Sequence, residues 1–462
     1  MHHKIIIEPF KIKTVEPIHL TTEDERLKFI KKAQYNPFRL KSREVIIDLL
    51  TDSGTSAMSS SQWGRLMEGD ESYAGASSWD RMKTRIKQLT GYPHVLPTHQ
   101  GRAAEQILYG YLGGKGKYFF SNTHFDTTRA NIEYSGGVAI DCPIEEALHP
   151  SLYHPFKGNI DEHKLAGHLK KIDSKNIGAV ILTLTNNSGG GQPVSVSNVE
   201  KVHNLCKKHG VLFILDACRI AENSYFNHHR EEGYSDLSYE QIAKKIFSYA
   251  DGCIMSAKKD GLVNMGGFLA LRSKKIADEC LNKLIITEGF ATYGGLSGRD
   301  MEAIATGLEE VFDPSYLKYR IRSIEYLGEK LKKFKVPMIL PTGGHAVYID
   351  ARALYSHIPV AQYPGQSLVC ELYLKGGIRS CEIGSVMFGT YNENGELIPA
   401  PMDLVRLAIP RRVYTQSHLD YVAEVFKEIV KTKKEASGLT ISFEKPFLRH
   451  FTAKFKHLKY DE

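Results

Sequence analysis

The sequence predicts an α/β protein, with a large domain on a mostly parallel sheet and a smaller α+β domain after it. Three observations carry that expectation. Short apolar runs bounded by glycine or asparagine alternate with stretches of helical periodicity. Two of these runs, GAVILTLT at 178–185 and VLFILD at 211–216, flank the helix-like stretch Val199–His209, and strand–helix–strand at this spacing implies a βαβ unit. The 462 residues, 42% hydrophobic and 24% charged with 39 Gly and 18 Pro, suit roughly three average domains or two large ones. That composition excludes a collagenous, coiled-coil or largely disordered chain.

The elements follow in chain order. The start, Met1–Phe10, has only the short block Ile5–Ile7 before Glu8-Pro9 and does not read as a secretory signal. Gly101–Leu112 places Ala104, Ile107, Leu108, Tyr111 and Leu112 on one helical face. After the two strands of the βαβ unit come the apolar stretch Cys253–Met255 and a further strand, GGFLAL at 266–271. A break near Val311–Pro314 marks the expected domain boundary. Beyond it, Pro341–Asp350 and Leu404–Ile409 read as strands and His418–Lys431 as a helix.

Charge and cysteine content narrow the function. Lys and Arg total 60 against 53 Asp and Glu, a net charge of +7. The basic residues are spread, apart from a mildly basic tail (Lys431, Lys433, Lys434, Arg449, Lys454, Lys456 and Lys459) that reads as a solvated face. A nucleic-acid binder concentrates them on one face. Seven widely spaced cysteines without a CxxC pair argue against a disulfide framework or a zinc site of usual spacing and fit a reducing cytoplasm. No apolar run approaches the length that spans a bilayer.

Three segments carry chemistry. Asp216 closes the run VLFILD, and ligands of open α/β sheets bind at the carboxyl ends of strands; the residue either faces such a site or caps the next helix. Arg219 follows one turn later. In Ser256-Ala257-Lys258-Lys259-Asp260-Gly261, a lysine among small residues can form a Schiff base with an aldehyde, or the pair is an exposed turn. Thr98-His99-Gln100-Gly101-Arg102 opens the amphipathic helix, where free backbone N–H groups suit a phosphate and Arg102 adds a bidentate charge. Phosphate site, strand-end aspartate and downstream lysine together match the needs of pyridoxal 5'-phosphate, whose pyridine nitrogen an aspartate keeps protonated.

At these residues the sequence resembles the tryptophanase and tyrosine phenol-lyase family of pyridoxal-phosphate β-eliminating lyases. The likeness runs from Glu8-Pro9-Phe10 to His450-Phe451-Thr452-Ala453. It is carried by IDLLTDSGT (47–55), GDESYAG (69–75), PTHQGRAAE (97–105), GGQPVS (190–195), FSYADG (247–252), MSAKKDG (255–261), TYGGLSGRDMEA (292–303), GGHAV (343–347) and IPRRVYT (409–415). The resemblance implies the aspartate-aminotransferase-like fold (fold type I) and a cytoplasmic homotetramer, a dimer of dimers. It implies a large cofactor-binding domain at 57–311 and a small domain formed by 1–56 with 312–462.

The resemblance also assigns roles. Lys259 is the Schiff-base lysine and the base that takes the α-proton. Asp216 pairs with the ring nitrogen, and Arg219 lies beside the ring. Gln100, Gly101, Arg102, Ser256 and Lys258 surround the phosphate, Phe125 stacks on the ring, and Asn187 contacts its hydroxyl side. Arg406 binds the substrate carboxylate with Thr51 and Ser53. Tyr73 reaches into the neighbouring subunit's site. Glu71, Gly54 and Asn264 hold a potassium ion between subunits. Asn131 departs from the family pattern, which carries histidine there.

Three positions bear on the substrate. Ile383 falls where the phenol-releasing branch carries an arginine, Asp126 where it has threonine and His450 where it has phenylalanine. A buried phenol hydroxyl facing Ile383 would lose its partner, at about 1–3 kcal/mol. Asp126 and His450 can move protons near an indole ring. The expectation is cleavage of L-tryptophan to indole, pyruvate and ammonia by α,β-elimination; the alternatives are a tyrosine phenol-lyase, or a cysteine or serine β-lyase on the same scaffold.

Overall fold

The alternating apolar runs and helices assemble into a seven-stranded sheet. In the computed structural model, which describes residues 7–461, its strands are β1 (His94–Thr98), β2 (Tyr118–Ser121), β3 (Val138–Asp141), β4 (Ile177–Thr183), β5 (Phe213–Asp216), β6 (Gly252–Ser256) and β7 (Gly267–Leu271). Residues 1–6, and with them the reading of Met1–Phe10 up to Ile6, lie outside the described part. The sheet order is β1-β7-β6-β5-β4-β2-β3. The β6-β5-β4-β2-β3 run is parallel throughout, and β7 is antiparallel to both β1 and β6. All seven residues of β4 are buried, which is why it reads as a continuous apolar run rather than an alternating one.

Helices cover both faces. Those that position the site are α1 (Gly101–Leu112), α2 (Asp126–Tyr134), α3 (Val196–His209) and α4 (Ile220–Arg230). Ser195 opens α3 by accepting a bond from the Asn198 N–H at 3.1 Å, and Gly210, at φ 65°, ends it. That is the Ser start and left-handed Gly stop expected of a helix. In α1 the expected apolar face holds for Ala104, Ile107 and Leu108, but Tyr111 is 37% exposed while Tyr109 is buried. Tyr109 instead turns in against Phe119 of β2, with ring centroids 5.7 Å apart.

A second core forms after the helix Gly298–Glu310 ends and Pro314 opens α5 (Pro314–Lys333). Its sheet has β8 (Ala346–Asp350), β9 (Cys381–Ile383) and β10 (Leu404–Ala408), with β10 in the middle and antiparallel to both. Ile47 and Leu49, from far earlier in the chain, pack into this core with Ile324, Leu327 and residues of α6 (Gln416–Thr432) such as Phe426. The strand expected over Pro341–Asp350 begins only at Ala346. Residues 343–344 instead run against the loop after β4: the Gly344 N–H donates to the Gly191 carbonyl at 3.0 Å. A side chain at Gly343 would fall 2.3 Å from that same oxygen. Among the described residues no helix is long and apolar enough to cross a membrane.

Candidate active site

The carboxyl ends of β1, β2, β4, β5 and β6 meet at one edge of the large sheet, and the segments leaving them line a single cavity. Gln100, Gly101, Arg102 and Glu105 come from the turn into α1, Phe125 and Thr127 from the turn into α2, and Asn187 from the loop after β4. Asp216, Cys218 and Arg219 follow β5, and Ser256, Lys258 and Lys259 follow β6; Ser53 closes one side. This is where an open α/β sheet binds its ligand.

One end of the cavity is positive without compensation. The start of α1 has no side-chain cap, since Gln100 makes none, so its first N–H groups face outward. Gly101 allows the close approach: a Cβ there would lie 2.7 Å from Cβ of Ser256. Arg102, Lys258 and Lys259 add three cations with no carboxylate partner among the described residues. Burial, and then the neighbouring charges of Lys259 and Arg102, push the Lys258 amine below its ordinary value. Asp216 stands at the other end, its Oδ1 accepting only the Cys218 N–H at 3.2 Å.

Arg219 is fixed from the opposite direction. Asp52 accepts its Nη2 at 2.6 Å and its Nε at 3.1 Å. Arg411 donates to Asp52 Oδ2 at 2.8 Å, to Glu222 Oε1 at 2.8 Å and to Asp260 Oδ1 at 3.0 Å, and Arg320 donates to Glu222 at 2.9 Å. All six of these side chains are at most 3% exposed. Burial alone would raise the Asp52 carboxyl, but Arg219 leads the surrounding charges in holding it well below the carboxylate range. Burial and Glu222 push Asp260, next to Lys259, up to about 7.

Arg406 on β10 is buried and has no carboxylate partner among the described residues. Its Nη1 donates to Asn187 Oδ1 at 2.9 Å and its Nη2 to the Leu50 carbonyl at 2.8 Å, and its Nε is unpartnered. Tyr348 also donates to Asn187 Oδ1, at 2.7 Å, and His345 lies 3.0 Å from the same oxygen. Thr51 and Ser53 flank Asp52, and the Ser53 N–H bonds Thr51 Oγ1 at 3.1 Å.

Asp126 and His450, more than 300 residues apart in sequence, are brought together. His450 Nε2 stands 3.0 Å from Asp126 Oδ2, off the line of a hydrogen bond, and neither ring nitrogen of His450 has another partner among the described residues. Both side chains are buried, and Phe38 and Phe451 pack on the imidazole at centroid distances of 5.8 and 4.0 Å. Ile383 is buried on β9 beside Cys381 and Leu404.

The remaining expected residues lie at the surface of the chain. Tyr73 is 71% exposed and stacks on Phe290, with centroids 5.6 Å apart. Gly54, at φ +76°, and Asn264 are in contact: the Asn264 amide donates to the Gly54 carbonyl at 3.0 Å. Glu71 instead accepts from the Gly298 N–H at 2.9 Å and faces Arg299. No group of three or more His, Cys, Asp or Glu side chains among the described residues is arranged to hold a metal.

Sequence reasoning missed Asp52, Glu105, His345 and Tyr348. Glu105 carried a signal, a carboxylate set among the apolar positions Ala104, Ile107 and Leu108. Asp52 lay inside a quoted block. His345 and Tyr348 carried none, because their partner Asn187 is more than 150 residues away.

The comparisons agree with this geometry. A tryptophanase from Salinibacter ruber is 56% identical over 97% of this chain and 95% of its own length. A tyrosine phenol-lyase from Symbiobacterium is 47% identical over 97% of this chain and 98% of its own. A serine palmitoyltransferase structure from Sphingomonas wittichii superposes with a TM-score of 0.59 at 12% identity, covering 89% of this chain and 97% of that one; it bears on the fold alone. The sequence model of the β-eliminating lyases matches residues 48–425. With that span matched and the strand-end cavity in place, the chain belongs to the β-eliminating lyase family and is an enzyme of the pyridoxal-phosphate fold type I class.

Proposed function

We propose that the chain cleaves L-tryptophan to indole, pyruvate and ammonia with pyridoxal 5'-phosphate. The residues fit that cofactor. The uncapped start of α1 with Arg102, Lys258 and Ser256 suits its phosphate, and Asp216, at the far end, suits its ring nitrogen. When bound, the cofactor supplies an aldehyde for the substrate amine and a ring that takes up charge from Cα. Lys259 holds the aldehyde and then takes the α-proton, since its amine has no competing carboxylate. Arg219, locked by Asp52, keeps a fixed charge beside the ring, and Phe125 and Asn187 flank it. Arg406, with Thr51 and Ser53, receives the substrate carboxylate; a buried guanidinium without an anion in its own chain is ready for one from outside.

The observation that carries the choice of substrate is the Asp126–His450 pair. An indole leaves as a neutral molecule only after its ring carbon is protonated, so the site needs a proton carrier at the leaving group. The pair stands 3.0 Å apart with the imidazole nitrogens free for substrate. Ile383 adds an apolar wall, and the 56% identity to a tryptophanase supports the same reading. Tyr73, exposed in one chain, would complete a second subunit's site in a homotetramer. The carbonyls of Gly54 and Asn264 with Glu71 would hold a potassium ion at that junction. The two cores support a large unit at 57–311 and a small one from 1–56 and 312–462, and the seven buried thiols fit a cytoplasmic setting.

The test is incubation with tryptophan, tyrosine and cysteine, scoring indole, phenol and sulfide. Indole released fastest supports the reading. Faster phenol assigns the chain to the tyrosine branch, and faster sulfide makes it a cysteine lyase.

A further inference from the structure

Glu105 has no assigned part in the reaction, yet it lines the cavity and is only 6% exposed. It projects from α1 one turn after Arg102. Its carboxylate accepts bonds from three donors on α2: Thr127 Oγ1 at 2.9 Å, Thr128 Oγ1, and the Asn131 amide at 3.4 Å. These donors lie within one turn of Asp126, and Phe125 is the N-cap of the same helix. Asn131 is itself tied back to the Thr127 carbonyl at 2.9 Å. No lysine, arginine or histidine pairs with Glu105 among the described residues. A buried carboxylate without a counter-charge is costly and persists only where other bonds hold it.

From this we infer that Glu105 is a positioning residue: it clamps the start of α2 to α1 and so sets Phe125 against the cofactor and Asp126 against the leaving group. The inference rests on the proposed tryptophan chemistry for Asp126. It gives Asn131 a function as well, that of a neutral donor to Glu105 where a histidine would bring a charge.

The clamp depends on protonation. An ionised carboxylate is acceptor-only and can take all three donors, whereas a protonated one must turn one oxygen into a donor. Burial first, then the charges of Asp216 and Asp126, push the Glu105 carboxyl up to about 7, against the Thr128 and Thr127 bonds. The groups around it are Asp216 at the end of β5, Asp126 on α2, and Tyr109 and Arg102 on its own helix. Arg219, Lys258 and Lys259 stand on the other cavity walls. On the helix packed outside α1, Lys283 faces Gly110. The clamp is therefore complete above pH 7 and loosens as pH falls through it.

The experiment compares the cofactor-loaded wild type with Glu105→Gln, Glu105→Ala and Asn131→His. Each is assayed from pH 5.5 to 9 on tryptophan and on S-ethyl-cysteine, whose leaving group needs no ring proton, and the absorption of bound cofactor is recorded in parallel. In the wild type, kcat/KM for tryptophan should rise through about pH 7. In Glu105→Gln that limb should vanish. Glu105→Ala should lose roughly 10- to 100-fold more activity on tryptophan than on S-ethyl-cysteine, as misplacement of a reacting group does, and Glu105→Gln should recover most of that loss. Asn131→His should move the limb down by about one pH unit, because a nearby cation favours the carboxylate. An unchanged limb in Glu105→Gln, or equal losses on both substrates in Glu105→Ala, overturns the inference. If the wild type releases no indole, the substrate reading fails and the inference falls with it. If indole is released and the variants behave as wild type, only the inference fails.

Discussion

Two groups of three cations adjoin the same loop and differ in almost every other respect. Arg219, Arg320 and Arg411 are matched one for one by Asp52, Glu222 and Asp260, all buried. Arg102, Lys258 and Lys259 have no anion, and Lys258 and Lys259 are only partly buried. The first group joins a segment before residue 60, helices α4 and α5, the lysine loop and residue 411. The second group comes from two short motifs at strand ends. The contrast teaches how to separate structure from function among charges: a positive group whose anion belongs to its own chain holds the fold, and one whose anion is missing marks where a ligand's charge goes.

The largest expected effect tests the unmatched group. Lys259→Ala should lower turnover by at least about 10³-fold, since nucleophile and base are lost together. Thermal unfolding should move by no more than about 2 °C. Turnover near wild type would remove Lys259 from the reaction. The matched group should answer in the opposite way. Arg411→Leu strands three buried carboxylates and should destabilise the protein by about 3–5 kcal/mol, read from the denaturant midpoint. That loss should shrink as pH falls from 8 to 6. Asp260, whose carboxyl is already raised to about 7, rises further once Arg411 is gone and then sheds its charge by protonation. A variant as stable as wild type at pH 8 would break the comparison.

Smaller effects sharpen it. Asp126→Ala should slow tryptophan cleavage roughly 100-fold while changing S-ethyl-cysteine cleavage by less than about tenfold; equal slowing would make Asp126 a packing residue. Lys258→Ala should weaken cofactor binding by about tenfold, one charge-assisted contact, and raise the melting temperature of cofactor-free protein by about 1 °C, because like charges near Lys259 and Arg102 are relieved. Smallest is the response to potassium over sodium, a few-fold gain in activity if the Gly54 and Asn264 carbonyls with Glu71 form a cation site. Equal rates in both salts would leave Glu71 as a helix cap alone.

How much of this could be read in advance follows from the same contrast. The strands β4 and β5, the helices α1 and α3 and the lysine loop are local in sequence, and periodicity and glycine placement mark them. Asp216, Lys259 and the start of α1 could be read because each sits at a strand end. The pairing of Asp126 with His450, of Asp52 with Arg219 and of Asn187 with Arg406 could not, because each spans more than 150 residues and no local pattern encodes a partner that distant. Asp126, His450 and Arg406 were reached only through resemblance. The five residues before Ala346 read as strand because their glycines look like sheet punctuation, whereas tertiary contact with Gly191 makes them loop.

One contact bears on the order in which the site can be made. His450 is held by its own backbone: the Asn36 amide donates to the carbonyls of His450 and Ala453 at 3.0 and 2.8 Å, and the Phe455 N–H donates to the Gln34 carbonyl at 3.0 Å. The residues that seat His450 therefore leave the ribosome among the first, and His450 itself emerges after almost everything else. A nascent chain can build the sheet and its bed of cations hundreds of residues before it owns a histidine to set beside Asp126. Any chain that stops short of residue 450 carries the bed without the proton carrier, so messages cut at the 3' end make cofactor-binding protein that cannot release indole.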